Sequence, residues 1–121
     1  MKILVAEDDA LLLKLIRVKM ERDGYEVDIA SNGDVALNLI NEKTYDLLVT
    51  DIMMPFITGL ELVSLVKNKD DNNTKVIVLS SVNLEKTILE AFKLGADDFI
   101  TKPFIPNELS IRVKRLLQPI E

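Results

Sequence analysis

Five short β-rich runs alternate with five helical runs along this chain, and that alternation constrains the fold more than any other feature. Lys2-Ile3-Leu4-Val5-Ala6 is the first apolar run and ends in the acidic cluster Glu7-Asp8-Asp9. Ala10 to Asp23 is rich in Leu, Lys, Arg and Met, which are good helix formers, and Gly24 is placed to stop the helix. Tyr25, Val27 and Ile29 alternate with Glu26, Asp28 and Ala30, the period-two pattern of a half-exposed strand. Ser31-Asn32-Gly33 signals a turn, and Val35, Ala36, Leu39 and Ile40 then give one helical face. Asp46 to Thr50 reads as a third strand that ends at Asp51. Residues 52–58 contain Pro55 and read as a loop; Gly59 leads into a helix through about Lys69, with Leu62, Val63 and Val66 on one side. Asp70 to Thr74 is polar loop, and Val76-Ile77-Val78-Leu79 is a β-branched run. Leu84 to Leu94 reads as helix ending at Gly95, and Phe99-Ile100-Thr101 is a short strand before Lys102-Pro103. Leu109, Val113, Leu116 and Leu117 form the stripe of a last helix started near Pro106-Asn107.

Such alternation implies a parallel sheet covered by helices on both faces, with right-handed crossovers. Five strands favour a flavodoxin-like (βα)5 doubly wound α/β fold, with strand order 2-1-3-4-5, over a Rossmann order. The 121 residues fit one compact domain, and 48 % hydrophobic against 29 % charged residues supply a core without a metal or disulfide staple. There is no cysteine and no histidine, which excludes thiol chemistry, zinc ribbons and imidazole bases. A formal net charge of -5 argues against a nucleic-acid-binding domain. No apolar run approaches the ~18 residues of a membrane span, and the first strand starts at Lys2 with no signal peptide before it. A cytoplasmic protein is therefore expected.

In an open parallel sheet, ligands bind beyond the carboxyl ends of the strands at the switch point, here between strands one and three. The residues delivered there are Glu7, Asp8 and Asp51, with Ser80 and Lys102 from the next strands along. Grouped carboxylates repel, and a hard dication relieves them. Mg²⁺ fits, with Asp8 and Asp51 as direct ligands, Glu7 acting through water and the backbone carbonyl of Met53 in reach. Lys102 adds a positive charge and Ser80 a hydrogen-bond donor. The set suits phosphoryl transfer onto a carboxylate, with Asp51 as the nucleophile.

These residues resemble a response regulator receiver domain of two-component signalling (CheY-like), and the match covers residues 1–121. Ile-Leu-Val-Ala-Glu7-Asp8-Asp9 resembles the family's acidic pocket. Asp51, followed by Ile-Met-Met-Pro55 and Gly59, resembles its phosphoacceptor segment. Leu79-Ser80-Ser81 resembles its hydroxyl position, and Gly95 to Phe104 its lysine segment. The resemblance implies a histidine kinase or phosphotransfer protein as donor to Asp51, and a cis peptide between Lys102 and Pro103. It implies that the chain is no enzyme toward other substrates, though it catalyses its own Mg²⁺-dependent phosphorylation and dephosphorylation. It also implies that Ser80 follows the phosphoryl group, that Phe99 is an aromatic switch, and that the helix 4–strand 5–helix 5 face controls an output domain or partner. On that face Asp97, Asp98, Glu108 and Arg112 resemble receivers attached to winged-helix DNA-binding domains, which implies a homodimer; receivers of cyclic-dinucleotide synthases look alike here.

Plainer readings stand beside these. Asp9 directly precedes a helix and reads as an N-cap rather than a ligand. Ser81 competes with Ser80, Phe99 doubles as a core aromatic, and the charged face doubles as solvated surface. A haloacid-dehalogenase-type phosphatase wants an aspartate two residues past the nucleophile, where this chain has Met53. A flavodoxin-like electron carrier wants a phosphate loop after strand one, which Glu7-Asp8-Asp9 does not supply. A degenerate receiver would lack part of the acidic set. The chain ends at Gln118-Pro119-Ile120-Glu121, which leaves a stand-alone regulator and a receiver joined to an output domain both open.

Overall fold

The computed structural model describes residues 1–69 and 73–118. Ten elements alternate along it. They are β1 (Lys2–Ala6), α1 (Ala10–Arg22), β2 (Glu26–Ala30), α2 (Gly33–Glu42), β3 (Leu47–Asp51), α3 (Gly59–Lys67), β4 (Lys75–Ser80), α4 (Glu85–Lys93), β5 (Asp98–Thr101) and α5 (Pro106–Leu117). The strands pair in parallel in the order β2-β1-β3-β4-β5, the flavodoxin-like order read from the sequence. Boundaries shift by a residue or two: Tyr25 precedes β2, and α3 stops at Lys67. Most of the polar loop expected over Asp70 to Thr74, and residues 119–121 of the chain end, lie outside the described residues.

Strand parity divides the core, because successive side chains leave opposite faces of a sheet. Leu4, Leu48, Val76 and Val78 pack with Ala36 and Ile40 of α2, Leu62, Val63 and Val66 of α3 and Ala91 of α4. Ile3, Val5, Leu47, Val49, Ile77 and Leu79 pack on the other face with Leu13, Ile16 and Met20 of α1 and Leu109 and Val113 of α5. The inner strands carry continuous apolar runs, Ile3 to Ala6, Leu47 to Val49 and Val76 to Leu79, because both faces are covered. At the edge, Val27 and Ile29 of β2, with Tyr25 just before it, are only partly buried against the second cluster, which explains the alternation there.

Helix starts are fixed locally. Asp9 accepts hydrogen bonds from the N–H groups of Leu11 (3.0 Å) and Leu12 (3.1 Å), so it caps α1. Asn32 caps α2 through the Val35 N–H. Thr58 and Glu61 form a reciprocal capping box on α3. Gly24, at φ 97°, closes α1 in a left-handed conformation that a side chain would strain. The Lys102-Pro103 peptide is cis.

Candidate functional site

Four strand ends meet at one edge of the sheet. Glu7 follows β1 directly, and its N–H continues the ladder to the Ala30 carbonyl (3.0 Å). Asp51 ends β3, where the Ile52 N–H donates to the Leu79 carbonyl (3.1 Å) and the Thr50 hydroxyl donates to the Asp51 carbonyl (2.9 Å). Lys102 follows β5, and its N–H donates to the Ser80 carbonyl at 2.8 Å. Gly59 is required by close approach, since a Cβ there would sit 1.9 Å from the Asp51 carbonyl oxygen.

The side chains converge as the sequence predicts. Glu7, Asp8 and Asp51 each offer a carboxylate oxygen, all within 4.8 Å of one another. Glu7 and Asp51 are buried and Asp8 is exposed. The Lys102 ammonium bridges the first and last, donating to Glu7 Oε1 at 2.5 Å and to Asp51 Oδ2 at 3.1 Å. Glu7 Oε2 accepts from the Asp9 N–H (3.2 Å). Burial of the Glu7 carboxyl is the largest influence on it, and the nearby Asp51 adds to that. Together they outweigh the Lys102 bond and push its pKa up to about 7. Burial alone would lower the Lys102 pKa, but its bonds to Glu7 and Asp51 win and raise it.

This donor set fits a small hard dication. Opposite ligands of an octahedral Mg²⁺ lie about 4.2 Å apart and adjacent ones about 3 Å, so oxygens within 4.8 Å need only slight closure. Fully ionised, three carboxylates and one ammonium leave two net negative charges, which one such ion neutralises. Glu7, held at about 7, makes the site's charge depend on pH. Its native pKa is raised above that of the unfolded chain. The stability it contributes is therefore present below about 4.5 and is lost as pH rises through about 7.

The remaining predicted residues fall as follows. Ser80 is buried, and its hydroxyl donates to the Val82 carbonyl (3.1 Å) and accepts from the Val82 N–H (3.0 Å); Ser81 is exposed. Met53 lies in the loop after β3 with its side chain exposed. Phe99 is half-buried against the α2–α3–α4 cluster, beside Val78 of β4. Asp98, Glu108 and Arg112 come together. Arg112 grips both Asp98 oxygens at 2.9 and 3.0 Å and reaches Glu108 at 3.3 Å, and Arg115 adds a bond to Asp98 at 3.1 Å. Asp97 does not join them. Its carboxylate accepts from Lys67 Nζ (3.0 Å) and from the Val76 N–H (2.8 Å), which ties the residue before β5 to the end of α3 and to β4.

Sequence reasoning missed an apolar groove of about 460 Å³ at the mouth of the site, lined by Leu11, Leu12 and Leu15 of α1 with Lys102, Pro103 and Phe104. Its signal was present: Leu11-Leu12-Leu13 is too many consecutive leucines for one core-facing stripe, and Leu11 is left 67 % exposed.

Comparison with known proteins agrees with this geometry. Residues 3–114 match the family model described as the response regulator receiver domain. The transcriptional regulatory protein ResD of Bacillus subtilis (strain 168) is 40 % identical over 117 residues, which are 97 % of this chain and 48 % of ResD. The chain thus spans about half the length of the curated relatives it matches. The receiver domain of Francisella response regulator 1452 superposes with a TM-score of 0.87 at 42 % identity, covering 95 % of this chain and 94 % of that one. TrrA of Thermotoga maritima, solved in complex with Mg(2+)-BeF, superposes with a TM-score of 0.84 at 34 % identity, covering 96 % and 98 %.

Proposed function

This chain belongs to the response regulator receiver domain family, and on that premise we propose that Asp51 accepts a phosphoryl group from a histidine kinase or phosphotransfer protein. The observation that carries this reading is the single constellation of Asp51, Glu7 and Asp8 with Lys102 bonded across it. An Asp51 carboxylate oxygen attacks phosphorus in line. The P–N bond of the donor's phosphoimidazole breaks, the nitrogen keeps the electron pair, and an acyl phosphate forms. Asp8 and Asp51 would hold Mg²⁺ directly, Glu7 through water and Met53 through its carbonyl; the ion supplies charge neutralisation at the phosphoryl oxygens. Lys102 moves its ammonium from the carboxylates onto a phosphoryl oxygen. Ser80 exchanges its Val82 bonds for one to the phosphoryl group.

Phe99 then turns into the space Ser80 leaves, and α4, β5 and α5 repack for an output domain or partner. Hydrolysis by water at the same phosphorus returns Asp51, so the chain catalyses both steps on itself. A homodimer through that face would use Asp98, Glu108 and Arg112, which must exchange their intrachain bonds for a second copy's. Asp97, bonded to Lys67, contributes from outside that cluster. The transcriptional regulatory relatives support a cytoplasmic setting.

Intact-mass measurement with acetyl phosphate tests this reading. One phosphoryl group should be added with Mg²⁺ present and none after chelation. Labelling that ignores the metal would sink it.

Two further outcomes are expected. Mg²⁺ must compete with the proton that Glu7 holds, so its affinity should weaken below pH about 7, by up to about tenfold per unit. Calorimetry across that range should show the slope, and Glu7→Gln should flatten it. Met53 and Val82 lie two residues past Asp51 and Ser80, flanking the attacking water with apolar side chains. Decay of the acyl phosphate should be slow, and replacing both with asparagine should shorten its half-life severalfold. An unchanged decay after acetyl phosphate loading would remove that role.

A further inference from the structure

Thr50 carries a fully buried hydroxyl one residue before Asp51, and the phosphoryl transfer set out above makes no use of it. Strand register seats it beside Ala6 of β1 and Val78 of β4, both members of the first apolar cluster. Shape alone does not account for a threonine there. Valine has the same outline and a similar strand preference, and a hydroxyl costs more to bury. What threonine adds is one hydrogen bond, donated to the Asp51 carbonyl at 2.9 Å, and it makes no other side-chain bond among the described residues.

That carbonyl sits where the ladder runs out. Peptide groups along a parallel strand turn alternately to its two neighbours. The Ile52 N–H donates to Leu79 on β4, so the Asp51 carbonyl turns toward β1. The register of β1 on β3 stops at Ala6 and Thr50, one residue short of it. The Thr50 hydroxyl takes the place of the missing donor. The same carbonyl oxygen is packed against Gly59, where even a Cβ would come within 1.9 Å. A bond and a close contact together hold the Asp51–Ile52 peptide against tilting. The Asp51 Cα, which carries the carboxylate, is fixed with it, and so is the chain running on to the Met53 carbonyl.

We infer that Thr50 is a positioning residue for phosphoryl uptake: its hydroxyl, acting through the Asp51 carbonyl, fixes the aim of the Asp51 carboxylate. The inference rests on the phosphoacceptor reading above, and the test separates the two. Labelling by acetyl phosphate is followed by intact mass at saturating Mg²⁺, well below the Tm of each variant. Thr50→Val keeps the shape and loses the bond, so the rate should fall about tenfold, the effect of a small misplacement of a reacting group. Thr50→Ser keeps the hydroxyl and should stay within about twofold of the wild type. Without metal, the Asp51 carbonyl carbon resonance should move in Thr50→Val and hold in Thr50→Ser. Leu48→Ala, in the same strand, opens a core cavity and lowers Tm, yet should leave the rate alone. A wild-type rate or an unmoved resonance in Thr50→Val would overturn the inference. So would an equal loss of rate in Thr50→Ser or in Leu48→Ala. Should the valine variant not fold, Thr50→Ala against Thr50→Ser reads the same hydroxyl: a slow alanine variant beside a faster serine variant is expected, and equal rates overturn the role. No labelling of the wild type removes the phosphoacceptor reading itself.

Discussion

Asp51→Asn is expected to abolish phosphoryl uptake, a loss of at least about ten-thousandfold, while the fold is kept. The amide is isosteric with the carboxylate, and its carbonyl oxygen still accepts the Lys102 bond, so packing at the end of β3 is undisturbed. What goes is the anionic nucleophile, and an amide oxygen forms no stable acyl phosphate. Asp8 is an alternative acceptor, within 4.8 Å, but the Lys102 ammonium bonds to Glu7 and Asp51. Intact mass after acetyl phosphate treatment, beside an unchanged melting curve, checks the expectation. Residual labelling near the wild-type level would mean that another carboxylate takes the group.

Lys102→Met is expected to separate rate from metal binding. Methionine keeps the apolar stem and removes the ammonium that bridges Glu7 and Asp51. The phosphoryl oxygens lose a preorganised cation, which slows labelling by about 10²–10³. Mg²⁺ affinity should hold or rise, because the cation that competes for the same carboxylates is gone. Stability moves with pH. Removing one partner of a buried ion pair costs about 3–5 kcal/mol when the other charge is stranded, but Glu7 escapes part of that by taking a proton. The loss in Tm without Mg²⁺ should therefore be large above pH about 7 and smaller below it. Labelling kinetics, calorimetry and melts at both pH values decide this. Equal losses of rate and affinity would mean that Lys102 holds the metal site together instead of acting on the phosphoryl group.

Much of this site was legible because the sheet does the positioning. Asp51 and Glu7 sit at or just past the ends of strands whose apolar runs announce them, and strand order places those ends side by side. Asp9 was legible as a cap from its place before a helix. Pairings between distant elements were harder. Asp97 and Asp98 are neighbours in sequence, yet one bonds to Lys67 at the end of α3 and the other to Arg112 on α5. Adjacent residues at a strand's start point apart, and nothing in composition says which partner each meets. The φ of 74° at Phe56 was also hidden, because an apolar residue after proline carries no mark of positive φ. The choice of Ser80 over Ser81 became clear only when burial separated them.

Locating the phosphoryl group on the chain tests the central claim most directly. Borohydride reduces an acyl phosphate to the alcohol, so a phosphorylated aspartate leaves homoserine at its position in the digested peptide. After acetyl phosphate and Mg²⁺, homoserine is expected at position 51 alone. Homoserine at position 8, a reduced Glu7, or no reduced residue at all would contradict Asp51 as the acceptor.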